Sequence, residues 1–252
     1  ACETLVDQRH GVLDPVERDE PAKARPLRGA EQHFVKRFEP VPHRIEAVAT
    51  HIEDHLLKRI AISGTAVGNQ FTLSKGAKRD AQIAHVKKWI DNAAHMGAPH
   101  VRVFAGGTNG HSLKQAQSLC IEALEEVGEY AGKRGVFLGI ENHGGIVAEA
   151  DSLLKIVRAT RSEWVGINLD TGNFHTDDVY GDIARCVAHT VNVQLKVQIQ
   201  PRGAKQKSNA DFDRLVKILR DGGYRGFVAL EYEAATDPWT AVPKRFTKRK
   251  KA

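Results

Sequence analysis

From about residue 58 onward the chain alternates short apolar runs with amphipathic stretches, a pattern that predicts βα repeats and a parallel sheet. The runs are Arg59–Val67, His100–Ala105, Val136–Glu141, Val165–Asp170, Thr190–Val197 and Gly226–Tyr232. Between them, Asp80–Met96 carries Ile83, Val86, Ile90 and Ala93 at helical spacing, and Gly97 follows as a stop. Ser112–Arg134 opens on a serine suited to an N-cap, carries Leu113, Ala116, Leu119, Ala123, Leu124 and Val127, and closes at Gly135. Ala150–Thr160 uses Leu153, Leu154, Ile156 and Val157; Ala210–Asp221 uses Phe212, Leu215, Val216 and Leu219 before Gly222-Gly223.

These segments make six βα-like units of an α/β, TIM-type (β/α) barrel, which needs about eight. The first two strands belong in residues 1–57, where the pattern is degenerate. That segment is rich in Arg, Glu, Pro and His; Glu46–Leu57 reads as helical, and the part before it as disorder or incomplete βα units. The expected organisation is therefore a poorly defined segment over 1–57, a barrel over 58–243 and a basic tail over 244–252.

Polar residues inside the apolar runs fall in phase. Alternate residues of a strand share a face. Glu141 ends Phe137-Leu138-Gly139-Ile140-Glu141 in phase with Gly139, and Asp170 is in phase with Asn168. Asn192, Gln194 and Lys196 share one face of the next run, and Glu231 and Glu233 one face of the last. The outward face of a barrel strand packs on helices, so the polar face points into the mouth, where active sites of such barrels lie. Burying these groups unpartnered costs several kcal/mol each. A bound cation is the simplest partner for converging carboxylates. Glu141, Asp170, Gln194 (through its carbonyl) and Glu231 form an oxygen set, which suits Mg2+ or Mn2+, with Co2+ as a third choice. Arg102, inside Val101-Arg102-Val103-Phe104, reads as a counter-charge to the carboxylates, and Asn168 and Glu233 as supports around the metal ligands.

Composition narrows the classes. A hydrophobic share of 41% suits a folded domain, not a disordered chain. The net charge of +6 is concentrated in Lys244-Arg245-Phe246-Thr247-Lys248-Arg249-Lys250-Lys251, a solvated end by expectation. Nucleic acid is therefore not an expected partner, and no apolar run approaches the roughly 18 residues of a membrane span. Ala1-Cys2-Glu3-Thr4-Leu5-Val6-Asp7-Gln8 lacks a signal-peptide pattern, and Cys2, Cys120 and Cys186 form no CxxC pair. Reduced thiols in a cytoplasmic protein are the expectation.

Gly139-Ile140-Glu141-Asn142-His143-Gly144-Gly145, Asn168-Leu169-Asp170-Thr171-Gly172-Asn173, Val193-Gln194-Leu195-Lys196 and Ala229-Leu230-Glu231-Tyr232-Glu233 together resemble the sugar phosphate isomerase/epimerase family, the xylose isomerase-like TIM barrels. Ser63-Gly64-Thr65-Ala66-Val67-Gly68-Asn69 is similar to the third strand of such proteins. The resemblance implies a metal site of Glu141, Asp170, position 194 and Glu231, with Glu141 and Glu231 as catalytic acid and base. Position 194 is Gln where the family usually has His; some relatives, such as the bacterial 3-dehydroshikimate dehydratases, are similar to this chain in having Gln there. Val197 replaces the common Asp after Lys196, and Asn173 stands where ketose 3-epimerases have His, with His175 nearby. His143, Asn173, His175 and Lys196 are the implied substrate contacts, and the loop Pro201–Lys207 is a candidate for a phosphate.

The implied reaction is divalent-metal-dependent isomerisation or epimerisation of a sugar or sugar phosphate through an enediolate, in a chain that could form a homodimer. The alternatives are a dehydratase of the 3-dehydroshikimate or inosose type on the same site, and a non-catalytic barrel homologue. An abasic-site endonuclease shares the barrel, but the strand ends supply too few histidines for its three-metal site.

Overall fold

In the computed structural model, residues 61–247 are described, with side chains through residue 243. The expected first two βα units fall outside the described residues. Within them, six strands form one parallel sheet: β1 (Thr65–Ala66), β2 (His100–Val103), β3 (Phe137–Glu141), β4 (Val165–Asp170), β5 (Thr190–Lys196) and β8 (Val228–Glu231), in that spatial order. A small antiparallel pair, β6 (Gln198–Ile199) with β7 (Ser208–Asn209), follows β5 and carries Pro201–Lys207 as its turn.

Helices α1 (Ala77–His95), α2 (Leu113–Gly132), α3 (Ala150–Ala159) and α5 (Phe212–Asp221) fill the expected amphipathic stretches. The start of α2 is fixed by a capping box, in which Ser112 Oγ accepts from Gln115 N–H and the Gln115 side chain accepts from Ser112 N–H. Two further helices, α4 (Val179–Cys186) and α6 (Pro238–Thr247), were not among those expected; α6 carries the start of the supposed tail in helical form. The α4 signal is short but complete: Asp178 caps it through Gly181 N–H, and Val179, Ile183 and Cys186 make one buried stripe.

Val101, Val103, Leu138, Ile140, Ile167 and Leu169 point to the helical side and are buried in one core with Ile90, Leu124, Leu153 and Ile183. The opposite face is the polar one. Register places Arg102 beside Gly139, Glu141 beside Asn168, Asn168 beside Asn192, Asp170 beside Gln194 and Lys196 beside Glu231. This common face depends on an irregularity. Ile167 pairs with Thr190, but Asn168 pairs with Asn192, so Val191 is an extra residue in β5. Unbroken register would set Asn192 against Leu169 and turn Gln194 and Lys196 toward the helices. The bulge re-aims the strand and brings its polar residues into phase with Asn168 and Asp170.

Candidate active site

The polar face converges at the C-terminal ends of β3, β4, β5 and β8. Glu141, Asp170, Asn168 and Lys196 are all buried there, and Glu231 is half-buried. Asn142, directly after Glu141, ties β3 to β4: its side-chain amide donates to the Asp170 carbonyl at 2.9 Å, and its carbonyl accepts from Asp170 N–H at 2.8 Å. Thr171 ties β4 to β5, with its N–H donating to the Gln194 backbone carbonyl and its hydroxyl accepting from Lys196 N–H at 2.9 Å. The strand ends are thereby fixed relative to one another before any ligand arrives.

Glu141 is held from both sides. Arg102 Nε lies 2.9 Å from Glu141 Oε2, and Asn173 Nδ2 donates to Glu141 Oε1 at 3.1 Å. Arg102 also stacks on the Phe104 ring, with the guanidinium carbon 3.9 Å from the ring centre, and the His143 ring lies tilted against Phe104 with the ring centres 4.9 Å apart. Burial pushes the Glu141 carboxyl above its ordinary range, against the opposing pull of Arg102 and His143. His143 sits exposed at the rim.

Asp170 is enclosed. Its Oδ1 accepts from Gly172 N–H at 2.8 Å, and burial raises its carboxyl well above the usual carboxylate value, with Lys196 as the main opposing pull. Lys196 Nζ lies 3.4 Å from Asp170 Oδ2, 3.0 Å from Glu231 Oε1 and 2.7 Å from Glu233 Oε2. Burial pulls the Lys196 ammonium down, yet the three carboxylates outweigh it and raise it above its ordinary value. Gly172 makes the approach feasible: a Cβ there would stand 2.6 Å from Lys196 Cγ.

Gln194 is joined to two neighbours. Its carbonyl accepts from Asn168 Nδ2, and its Nε2 donates to Glu231 Oε2. The sequence expectation that its carbonyl faces a metal therefore meets a structure in which Asn168 holds that oxygen. Asn192 Nδ2 donates to Asn168 Oδ1 at 2.8 Å. His175 stands apart from this network: it is exposed and its Nδ1 meets the Gln200 carbonyl at 2.9 Å, on the turn of β6 and β7. Arg202 of the Pro201–Lys207 turn is paired with Glu149 at 2.7 Å and Asp177 at 3.7 Å.

The residues thus brought together are Glu141, Asp170, Gln194, Glu231, Lys196, Asn173, Arg102, Asn168 and Glu233. Sequence reasoning missed Asn142, Thr171 and Asn192 as site supports. Asn192 was visible as an in-phase polar residue, whereas Asn142 and Thr171 act across strands whose pairing a sequence does not display.

The chemistry of the donors suits a hard cation. Glu141 Oε2 and Asp170 Oδ2 are buried without a hydrogen-bond donor, because their cationic neighbours lie beside them but out of hydrogen-bonding alignment. As the side chains stand, however, no group of three or more His, Cys, Asp or Glu among the described residues is arranged to hold an ion. Lys196 supplies the positive charge between Asp170 and Glu231.

A parallel β-sheet with helices on its outer side and acids, amides and a lysine at its strand ends is the working end of a (β/α) barrel. The chain belongs to the xylose isomerase-like TIM barrel family, whose model matches residues 20–249. Among solved structures, it is similar to a 3-keto-D-glucoside 4-epimerase from E. coli in its apo form, with a TM-score of 0.68 at 15% identity over 83% of this chain and 85% of that one. A D-psicose 3-epimerase crystallised with D-fructose is similar with a TM-score of 0.65 at 17% identity, over 77% of this chain and 74% of that one. A family 2 AP endonuclease from Brucella melitensis is also similar, with a TM-score of 0.66 at 15% identity over 82% of this chain and 85% of that one. A sequence comparison with curated proteins finds no match.

Proposed function

We propose that this chain is a divalent-metal-dependent isomerase or epimerase of a sugar or sugar phosphate, with Glu141 and Glu231 as its proton-transfer pair. The observation that carries the reading is the gathering of Glu141, Asp170 and Glu231 on one polar face, close enough that both glutamates raise the Asp170 carboxyl. Sugar epimerases among the structures of the same fold favour a sugar over a nucleic acid. The strand ends also offer amides and a lysine where a histidine-rich nuclease site would be needed.

Glu141, Asp170 and Glu231 would hold the cation, Mn2+ or Mg2+ with Co2+ as a third choice, and Gln194 would join them through its carbonyl. A cation bound there polarises a carbonyl and acidifies the neighbouring C–H. Glu141, raised by burial and steadied by Arg102 and Asn173, holds a proton more readily than an exposed glutamate does, which suits it to proton exchange with a substrate. Glu231 lies on the far side of Asp170 in strand order, so a proton removed by one glutamate returns from the other, which inverts a carbon centre. Lys196 binds a substrate oxygen when it leaves the Asp170–Glu231 gap, with Glu233 to hold its charge. His143 and Asn173 line the mouth and contact the sugar. Cys120 and Cys186 are buried thiols pushed up to about 12 by burial, which keeps them out of the chemistry.

The test is a Mn2+-loaded screen of ketoses, aldoses and their phosphates in D2O, read by NMR. Deuterium appearing next to the carbonyl supports the reading; a metal-loaded protein that exchanges no α-proton in any of them overturns it. Gln194 favours one second reading, loss of a β-hydroxyl from the same enediolate. A cyclic hydroxy-ketone in the same screen decides it, because dehydration yields a conjugated product with strong ultraviolet absorbance.

A further inference from the structure

Three amides run in file along the inner face toward the carboxylates. Asn192 Nδ2 donates to Asn168 Oδ1, Asn168 Nδ2 donates to Gln194 Oε1, and Gln194 Nε2 donates to Glu231 Oε2. Asn168 and Asn192 are buried. Asn168 and Gln194 each receive at the oxygen and give from the nitrogen, and Asn192 gives from its nitrogen, so the file has a direction. Turning one member alone would set two carbonyls or two NH2 groups face to face. The members reverse together or not at all.

Nothing at the foot fixes that direction. Asn192 Oδ1 is buried without a donor. Reversal would exchange an unmatched carbonyl for an unmatched NH2, at similar cost. The head decides instead. Facing Glu231, with Lys196 supplying the positive charge, the NH2 end of Gln194 is the favoured one. Facing a cation, the carbonyl end is favoured, since an NH2 group repels a positive ion. Glu141 Oε2 and Asp170 Oδ2, both without hydrogen-bond donors, mark the place that such an ion would take.

We infer that Asn192, Asn168 and Gln194 form a reversible amide relay, with its NH2 end toward Glu231 when no cation is bound and its carbonyl end toward the cluster when one is. The inference rests on the cation site of the proposed function. Asn168 and Asn192 are then positioning residues that set the affinity for the ion through Gln194.

Two measurements test it. First, Asn192→Asp places an acceptor-only group at the foot, which forces the carbonyl-out direction. Mn2+ affinity, read by EPR of free Mn2+, should rise at least fivefold. The same substitution in an Asn168→Leu background, where the file is cut, should change affinity less than twofold. Equal gains in the two backgrounds would reduce the effect to added charge and overturn the relay. Second, should these variants fail to fold, the wild-type protein labelled with 15N in its Asn and Gln side chains is titrated with Mg2+. The amide signals of residues 168, 192 and 194 should shift together and saturate together. A shift confined to Gln194 overturns the relay while leaving the cation site standing, and no Mg2+ response at any residue overturns both.

Discussion

Lys196 Nζ lies 3.0 Å from Glu231 Oε1, so a lysine from β5 and a glutamate from β8 close the site across a strand boundary. The same ammonium meets Asp170 and Glu233. Lys196→Met would leave these carboxylates facing one another, and removing one partner from a buried ionic group costs about 3 kcal/mol. The expected urea midpoint falls sharply at neutral pH. The loss should shrink as pH drops and the raised Asp170 carboxyl takes a proton, and it should also shrink when Mn2+ is added. A midpoint unchanged at neutral pH would remove Lys196 from the charge balance of the site.

Glu141→Gln and Glu231→Gln keep shape and remove a proton acceptor. Each is expected to lower turnover by about 100-fold or more, the scale of a positioned acid or base. Glu233→Gln, at the exposed edge, should cost far less. Steady-state kinetics on whichever substrate the D2O screen returns checks all three, and activity retained in both of the first two variants excludes proton transfer by these side chains.

Gly172→Ala would put a methyl group 2.6 Å from Lys196 Cγ and 2.8 Å from the Gln198 carbonyl. Overpacking of this kind costs about 1–3 kcal/mol and moves the neighbour. The expected outcome is a lowered melting temperature together with a raised KM, because Lys196 is displaced. Gly223→Ala, in open space at positive φ just after α5, serves as the comparison that strains backbone without touching the site.

His100 gives the stability a pH dependence at the acid end. Its ring is buried between Gly64 and Gly139, neither ring nitrogen has a hydrogen-bond partner, and burial, assisted by Arg102, lowers its pKa from 6.5 to about 3. Between these two values the unfolded chain binds a proton that the folded chain refuses, so stability falls as pH falls from 6.5 toward 3. The slope from one such group approaches about 1.4 kcal/mol per pH unit. His100→Gln should flatten that limb in urea melts at pH 7 and pH 4.5; an identical slope in the variant would mean that other groups set it.

The polar face was legible because period-two alternation survives in parallel strands that bury one side against helices. Glu141, Asp170, Gln194, Lys196 and Glu231 could be placed on it one strand at a time. What the residues do to one another was not legible. That Lys196 reaches Asp170 as well as Glu233, and that Asn168 holds the Gln194 carbonyl, depend on strand register, a relation between segments far apart in sequence. Helix α4 escaped because its eight residues are too few for a periodic signal, although Asp178 and Gly181 mark its start. Of the apolar run Arg59–Val67, the described part is paired as a strand only at Thr65–Ala66, because an apolar run does not say how much of it finds a partner.

Val191 carries no chemistry of its own, yet it decides which residues do. Were β5 to pair straight through that position instead of bulging at it, the three polar side chains behind it would swing into the oily layer under the helices, and the apolar ones would line the cup. A furnished cup and a greased, inert one thus differ in how one residue is accommodated within a strand, not in which side chains the chain carries.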